Sequence, residues 1–215
     1  MIKAIIFDYD DTLVQTRKTR YNTIYKLSKQ LFDTEITERE IDEAWGLPAE
    51  VFLLKLFGRF SSDINYLWNI YIEFSKKDLN IPHPNAFEYI SKYQNIYKFG
   101  IVTSSSEKVV HRELNELQIN TDLFFQIQTS DHTNVHKPNP DVFEPIFVLL
   151  KNENIDKKEI FYIGDSPADF ESASKFGFHF LGIAHDNRHV DYFQRGEIPF
   201  VRNFLELENY LKKYI

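Results

Sequence analysis

Short apolar runs, rich in β-branched and aromatic residues, recur along this chain and dominate what it can fold into. They read Ala4-Ile5-Ile6-Phe7, Phe99-Gly100-Ile101-Val102, Glu159-Ile160-Phe161-Tyr162-Ile163 and Phe180-Leu181-Gly182-Ile183-Ala184. A short continuous apolar run predicts a strand covered on both faces, as in a parallel sheet. Phe125-Gln126-Ile127-Gln128-Thr129 alternates instead, which suits an edge strand. Helical patterns lie between the runs, at residues 86–93, 108–118, 142–152 and 169–176. Pro145 falls in the first turn of the third, where a missing N–H is tolerated. Alternating strand and helix predicts an α/β fold: a Rossmann-like parallel sheet core with helices on both faces.

Residues 15–80 break this rhythm. Tyr21, Ile24, Tyr25, Leu27, Ser28, Leu31 and Phe32 recur at helical spacing, and no strand pattern competes. Thr37 followed by Glu40 is a capping-box signature for a second helix. Gly46-Leu47-Pro48 reads as a break, residues 51–56 as a short third helix and residues 64–79 as a longer fourth. Pro82 and Pro84 close the region. The expected organisation is an α/β core from residues 1–14 and 84–215, with an inserted all-helical cap at residues 15–83.

Charge and composition narrow the partners. A net charge of -7 on 215 residues argues against sequence-independent binding to nucleic acid, which depends on displacing counterions with cations. No cysteine is present, so disulfides, thiolate metal sites and a thiol nucleophile are excluded. The N-terminal apolar run is too short for a signal-peptide core, and no run approaches a membrane span. The expected location is the cytoplasm, with no membrane partner.

Four segments at or near predicted strand ends carry candidate chemistry. In Asp8-Tyr9-Asp10-Asp11-Thr12, three crowded carboxylates repel one another unless a cation neutralises them. Magnesium, which takes hard oxygen ligands, suits such a place, although an acidic turn before a helix also fits. In Thr103-Ser104-Ser105-Ser106, hydroxyls and free N–H groups could hold phosphate oxygens or simply cap a helix. Lys137 precedes Pro138 and so sits in extended backbone; its ammonium could offset carboxylates and phosphate, or face solvent. In Gly164-Asp165-Ser166-Pro167-Ala168-Asp169, a flexible turn leads into two carboxylates that could share a cation, or Asp165 and Ser166 could simply cap a helix.

Taken in order, the four segments resemble the motifs of the haloacid-dehalogenase-like hydrolases: Asp8/Asp10/Thr12, Thr103, Lys137 and Asp165/Asp169. The likeness spans the chain. Pro84-Asn85 ahead of a helix, and the helical region around Gly46-Leu47-Pro48, are similar to the subgroup with a small helical cap after the first strand, the phosphoglycolate-phosphatase-like and beta-phosphoglucomutase-like proteins. Two positions depart from the family pattern. Asp11 stands where Gly is frequent, and Gln15 where many relatives carry Asp.

The resemblance implies a magnesium-dependent phosphatase acting on a small phosphorylated metabolite. Asp8 would be the nucleophile that becomes phosphorylated, and Asp10 the acid and then the base. Thr103 and Lys137 would hold phosphoryl oxygens, with Thr12 and Ser104 among the substrate-binding groups. Magnesium would sit on the carboxylates of Asp8 and Asp165 and the main-chain carbonyl of Asp10. Asp169 would bind it directly, or orient a water or Lys137. In the cap, Arg17 and Arg20 could meet an anionic part of the substrate or be solvated surface charges.

Asp10 argues against a dehalogenase or a phosphonate hydrolase, both of which lack the second aspartate. A sugar-phosphate mutase retains it but usually carries an early cap histidine, and none occurs in residues 16–21. A non-catalytic regulatory protein on the same fold is the alternative of another class. The substrate and the oligomeric state are not encoded in any pattern legible here.

Overall fold

A computed structural model of the chain describes residues 1–45, 49–76 and 78–214. In chain order the elements are β1 (Ala4–Phe7), α1 (Thr16–Phe32), α2 (Glu38–Ala44), α3 (Ala49–Phe57), α4 (Ile64–Ser75), α5 (Ala86–Tyr93), β2 (Lys98–Val102) and α6 (Glu107–Glu116). There follow β3 (Gln126–Gln128), α7 (Glu144–Asn152), β4 (Ile160–Gly164), α8 (Pro167–Phe176), β5 (His179–Ile183), α9 (Asn187–Arg195), β6 (Phe200–Val201) and α10 (Phe204–Leu211). Contacts divide the chain into two compact units, residues 1–15 with 81–215, and residues 16–80.

The first unit is the expected α/β sheet. Its strands run in the order β3-β2-β1-β4-β5-β6, and every neighbouring pair is parallel. The pleat sends alternate residues to opposite faces. Ile5, Phe7, Phe161 and Ile163 therefore join one buried cluster with α5, α6 and α10. Ala4, Ile6, Ile160 and Tyr162 join another with α7, α8 and α9. Each large apolar side chain so buried contributes about 1.5–3 kcal/mol. Burial on both faces is why these strands read as unbroken apolar runs.

The register places the catalytic-type residues level with one another. Phe7 stands opposite Ile101 on one side and Ile163 on the other. The Asp8 N–H donates to the Ile163 carbonyl (2.8 Å), and the Thr103 N–H to the Gln128 carbonyl (3.0 Å). The residues that follow β1, β2 and β4 thus emerge at one edge of the sheet. Successive strands move outward in one direction through β2 and β3, and in the other through β4, β5 and β6. The strand ends beside such a reversal are where open α/β sheets bind ligands.

Several details differ from expectation. Residues 140–143 form a 3-10 turn, and α7 starts only at Glu144, with Pro145 in its first turn. The buried Gln128 side chain bridges this junction. It donates to the Val142 carbonyl (2.6 Å) and accepts from the Ile146 N–H (3.0 Å), satisfying backbone groups that the change of helix type leaves over. β3 is an edge strand, as its alternation predicts. Sequence reasoning assigned nothing beyond residue 184, and so missed β6, α9 and α10. β6 has only two residues, and α9 is polar apart from Val190 and Phe193, which it buries one turn apart.

The second unit is helical. Its core gathers Ile24 and Leu27 from α1, Ile41 and Ala44 from α2, Leu53, Leu56 and Phe57 from α3, and Leu67 from α4. Thr37 and Glu40 form the capping box of α2 in both directions. The fourth helix is shorter than predicted and ends at Ser75. Beyond it the Asp78 carboxylate accepts from the Thr23 hydroxyl (3.0 Å) and pairs with Lys26, which ties the segment to α1 instead of continuing the helix. The break expected at Gly46-Leu47-Pro48 lies outside the described residues.

Candidate active site

Asp8 follows β1 and is only 5% exposed. Lys137 reaches it from the loop between β3 and α7. The Lys137 Nζ lies 2.5 Å from Asp8 Oδ1, 2.7 Å from Asp169 Oδ1 and 3.0 Å from the Tyr162 hydroxyl. It also donates to the Val102 carbonyl at 3.4 Å. The ammonium is therefore enclosed by oxygens. Burial disfavours its charge, but Asp169 and Asp8 outweigh that, and its pKa is raised well above the ordinary lysine value.

Asp169 is fixed from two sides. Its Oδ1 also accepts from Tyr162 (3.0 Å), while its Oδ2 accepts from the Ser166 N–H (3.0 Å) and hydroxyl (2.6 Å) in the capping box of α8. Burial would raise its pKa, yet the Lys137 charge and these bonds prevail and lower it. Asp169 is thus the partner that keeps its negative charge. Burial pushes Asp8 up to about 8, with Lys137 offsetting part of the effect and Asp169 and Asp10 adding to it. Burial likewise raises Asp165 well above the usual carboxylate range, reinforced by Asp169, Asp8 and Asp11.

Asp8, Asp165 and Asp169 offer carboxylate oxygens within 4.8 Å of one another, and all three residues are buried. One ammonium faces three acids, and ionising all three would leave positive charge short by two units. The donors are all hard oxygens. Both facts fit a divalent magnesium ion. The Asp10 carboxylate is not in this group. Its Oδ2 accepts from the Thr103 hydroxyl (3.3 Å) and the Ser105 hydroxyl (2.7 Å), and Thr103 Oγ1 in turn accepts from the Ser105 N–H (3.0 Å).

The remaining predicted residues are distributed as follows. Thr12 is fully buried, and its hydroxyl donates to Asp165 Oδ1 (3.4 Å) instead of facing open space. Ser104 is exposed on the Thr103 loop. Arg17 and Arg20 lie on α1 in the helical unit. There Arg17 pairs with Asp42, donates to the Tyr21 hydroxyl (3.0 Å) and stands 4.9 Å over the Trp45 ring. Arg20 is partly exposed. Asp11, where the resembling family often has Gly, takes a left-handed φ of 55°. Glycine adopts that conformation most readily, and aspartate tolerates it better than most residues.

The structure adds residues that sequence reasoning missed. Tyr162 looked like a core strand residue, and its hydroxyl at the strand end was the only clue. Ser105 could not be told from its neighbours in a run of three serines. Ser166 was read only as a possible cap. His189, whose Nε2 lies 3.3 Å from Asp165 Oδ2, is far along the chain and gave no signal at all.

Comparison with known proteins shows what the chain is similar to. The family pattern described as haloacid dehalogenase-like hydrolase matches residues 5–183. A protein named glyceraldehyde 3-phosphate phosphatase, from Pyrococcus abyssi, is 28% identical over 179 residues, covering 77% of this chain and 74% of that protein. Pyrophosphatase PpaX from Listeria monocytogenes is 27% identical over 177 residues, covering 80% and 78%. Among solved structures, a Thermotoga maritima protein named "putative beta-phosphoglucomutase" superposes with a TM-score of 0.83 at 20% identity, over 100% of both chains.

Proposed function

The chain belongs to the haloacid dehalogenase-like hydrolases, and from that membership we propose that it is a magnesium-dependent phosphatase working through a phosphorylated Asp8. The observation that carries this reading is the buried Lys137 held between Asp8 and Asp169 at the strand ends, beside Asp165.

In this reading an Asp8 oxygen attacks phosphorus in line with the leaving group. The bond from phosphorus to the leaving oxygen breaks, its electron pair departs with that oxygen, and Asp10 supplies the proton. Water then attacks the phosphorus of the aspartyl-phosphate and gives a proton to Asp10, the bond from phosphorus to the Asp8 oxygen breaks with its electron pair on Asp8, and phosphate and free Asp8 result. Thr103 and Ser105 hold Asp10 by one oxygen, which fixes the orientation of the carboxyl for both transfers. Lys137 offsets the charge of Asp8 as a phosphate dianion approaches. Its other contacts, to Asp169, Tyr162 and Val102, keep it from swinging away. Magnesium, held by Asp8 and Asp165 with Asp169 beside them, would supply the positive charge that two buried carboxylates lack.

The substrate is proposed to be a small phosphorylated compound, since similar proteins carry the names pyrophosphatase and glyceraldehyde 3-phosphate phosphatase. The helical residues 15–83 are proposed as the cap that selects it. Arg17 and Arg20, on α1, are the candidates for meeting an anionic part of the substrate.

The test is hydrolysis of an aryl phosphate, pyrophosphate and triose phosphates, with and without magnesium, by wild type and Asp8→Asn. The reading expects magnesium-dependent release of phosphate by wild type alone. Full activity after exhaustive chelation, or in Asp8→Asn, would contradict it.

A further inference from the structure

Asp165 has a second neighbour that the mechanism above does not use. His189 lies in the first turn of α9, the helix that follows β5. Its Nε2 is 3.3 Å from Asp165 Oδ2, and its Nδ1 is 3.2 Å from Asp186 Oδ1. Asp186 is the N-cap of the same helix and accepts from the N–H groups of Arg188 (2.9 Å) and His189 (3.0 Å). The imidazole is therefore anchored to its own helix and aimed at Asp165. On the other oxygen of Asp165 stands the Thr12 hydroxyl, at 3.4 Å. Both oxygens of this one carboxylate are thus held by groups outside the trio of acids.

We propose that His189 is a positioning residue for the cation site, holding the Asp165 carboxylate in the orientation in which it can ligate a divalent ion. The inference rests on the reading of Asp165 as a cation ligand. A free carboxylate turns about its own bond, and freezing that rotation before the ion arrives removes an entropic cost from binding. Groups that orient a metal ligand typically change metal affinity by about 10–100-fold when removed. Helix capping does not account for His189. The helix already has its cap in Asp186, and Val190 and Phe193 are the residues it buries. The side chain of His189 is only 16% exposed, so it also packs, and the volume-conserving His189→Gln is needed beside His189→Ala to separate packing from positioning.

The experiment is magnesium binding by calorimetry to wild type, His189→Ala and His189→Gln, with the melting temperature of each protein measured in chelator. The Gln side chain keeps a donor near the position of Nε2. His189→Ala is expected to weaken magnesium binding about tenfold or more. His189→Gln is expected to recover most of that loss and to melt, metal-free, close to wild type, which separates positioning from packing. Unchanged magnesium affinity in His189→Ala overturns the inference while leaving the phosphatase reading in place. A loss as large in His189→Gln as in His189→Ala overturns it too. Failure of wild type itself to bind magnesium overturns the cation reading, and this inference with it.

Discussion

A Cβ on Gly164 would lie 2.5 Å from Cγ of Asp169 and 2.7 Å from its Oδ2. The last residue of β4 is thus glycine because the Asp169 carboxyl packs against its bare backbone. Gly164→Ala is expected to push Asp169 off Lys137. Overpacking of this kind costs about 1–3 kcal/mol, and turnover should fall at least about tenfold because Lys137 loses its fixed partner. Urea unfolding and kcat on an aryl phosphate measure the two effects. Wild-type kcat in this variant would show that the contact has no bearing on the site.

Tyr162 gives a second prediction. Its buried hydroxyl lies within 3.1 Å of Lys137, Asp169 and the Val102 carbonyl. Tyr162→Phe removes that oxygen and keeps the ring packed against Phe143. Stability should drop by about 1–3 kcal/mol, the cost of leaving buried polar partners short. The rate should fall while KM changes little, since Lys137 is loosened and not lost. A change in KM alone would point to direct substrate contact instead.

Asp10→Asn tests the acid–base assignment. The rate should fall about 10²–10⁴-fold, the usual contribution of a positioned acid or base. The loss should shrink for the formation of the phosphoenzyme as the leaving group improves, because a good leaving group needs no proton. A series of aryl phosphates under single-turnover conditions measures this. Equal losses across the series would remove Asp10 from the acid role.

The stacked rings of His83 and His185, 3.5 Å apart, predict a pH effect on stability. Burial lowers His83 to about 3, with the facing His185 adding to the effect, and burial lowers His185 to about 4. Both start from 6.5 when unfolded. Between roughly pH 6.5 and 4 the unfolded chain therefore binds protons that the folded chain refuses, so stability falls as pH falls through that window. Each histidine contributes a slope of at most about 1.4 kcal/mol per pH unit. The difference in unfolding free energy between wild type and His83→Asn, followed from pH 7 to 4.5, should change with that sign. A flat difference would place no titration on His83.

The sheet was legible because its central strands are buried on both faces and read as nearly unbroken apolar runs, as in Ala4–Phe7 and Ile160–Gly164. The acidic and hydroxyl residues at their ends stood out for the same reason. What lay hidden depended on tertiary position. Nothing local tells that Tyr162 turns its hydroxyl to a lysine 25 residues earlier in the chain, or that Ser105, and not Ser104, reaches Asp10. Thr12 looked available to a substrate because the strand pattern does not show how deeply the turn after β1 folds under Asp165. Arg17 looked like a surface charge or a substrate contact, and its pairing with Asp42 needed the crossing of two helices to be seen.

The central claim is that Asp8 carries the phosphoryl group. Mixing wild-type enzyme with a reactive aryl phosphate and magnesium, quenching in acid within the first turnover and measuring intact mass tests it most directly. The account predicts a population heavier by one phosphoryl group, mapped to the peptide containing Asp8 and discharged by hydroxylamine. Rapid turnover with no such adduct at any quench time, together with retained turnover in Asp8→Asn, would contradict it.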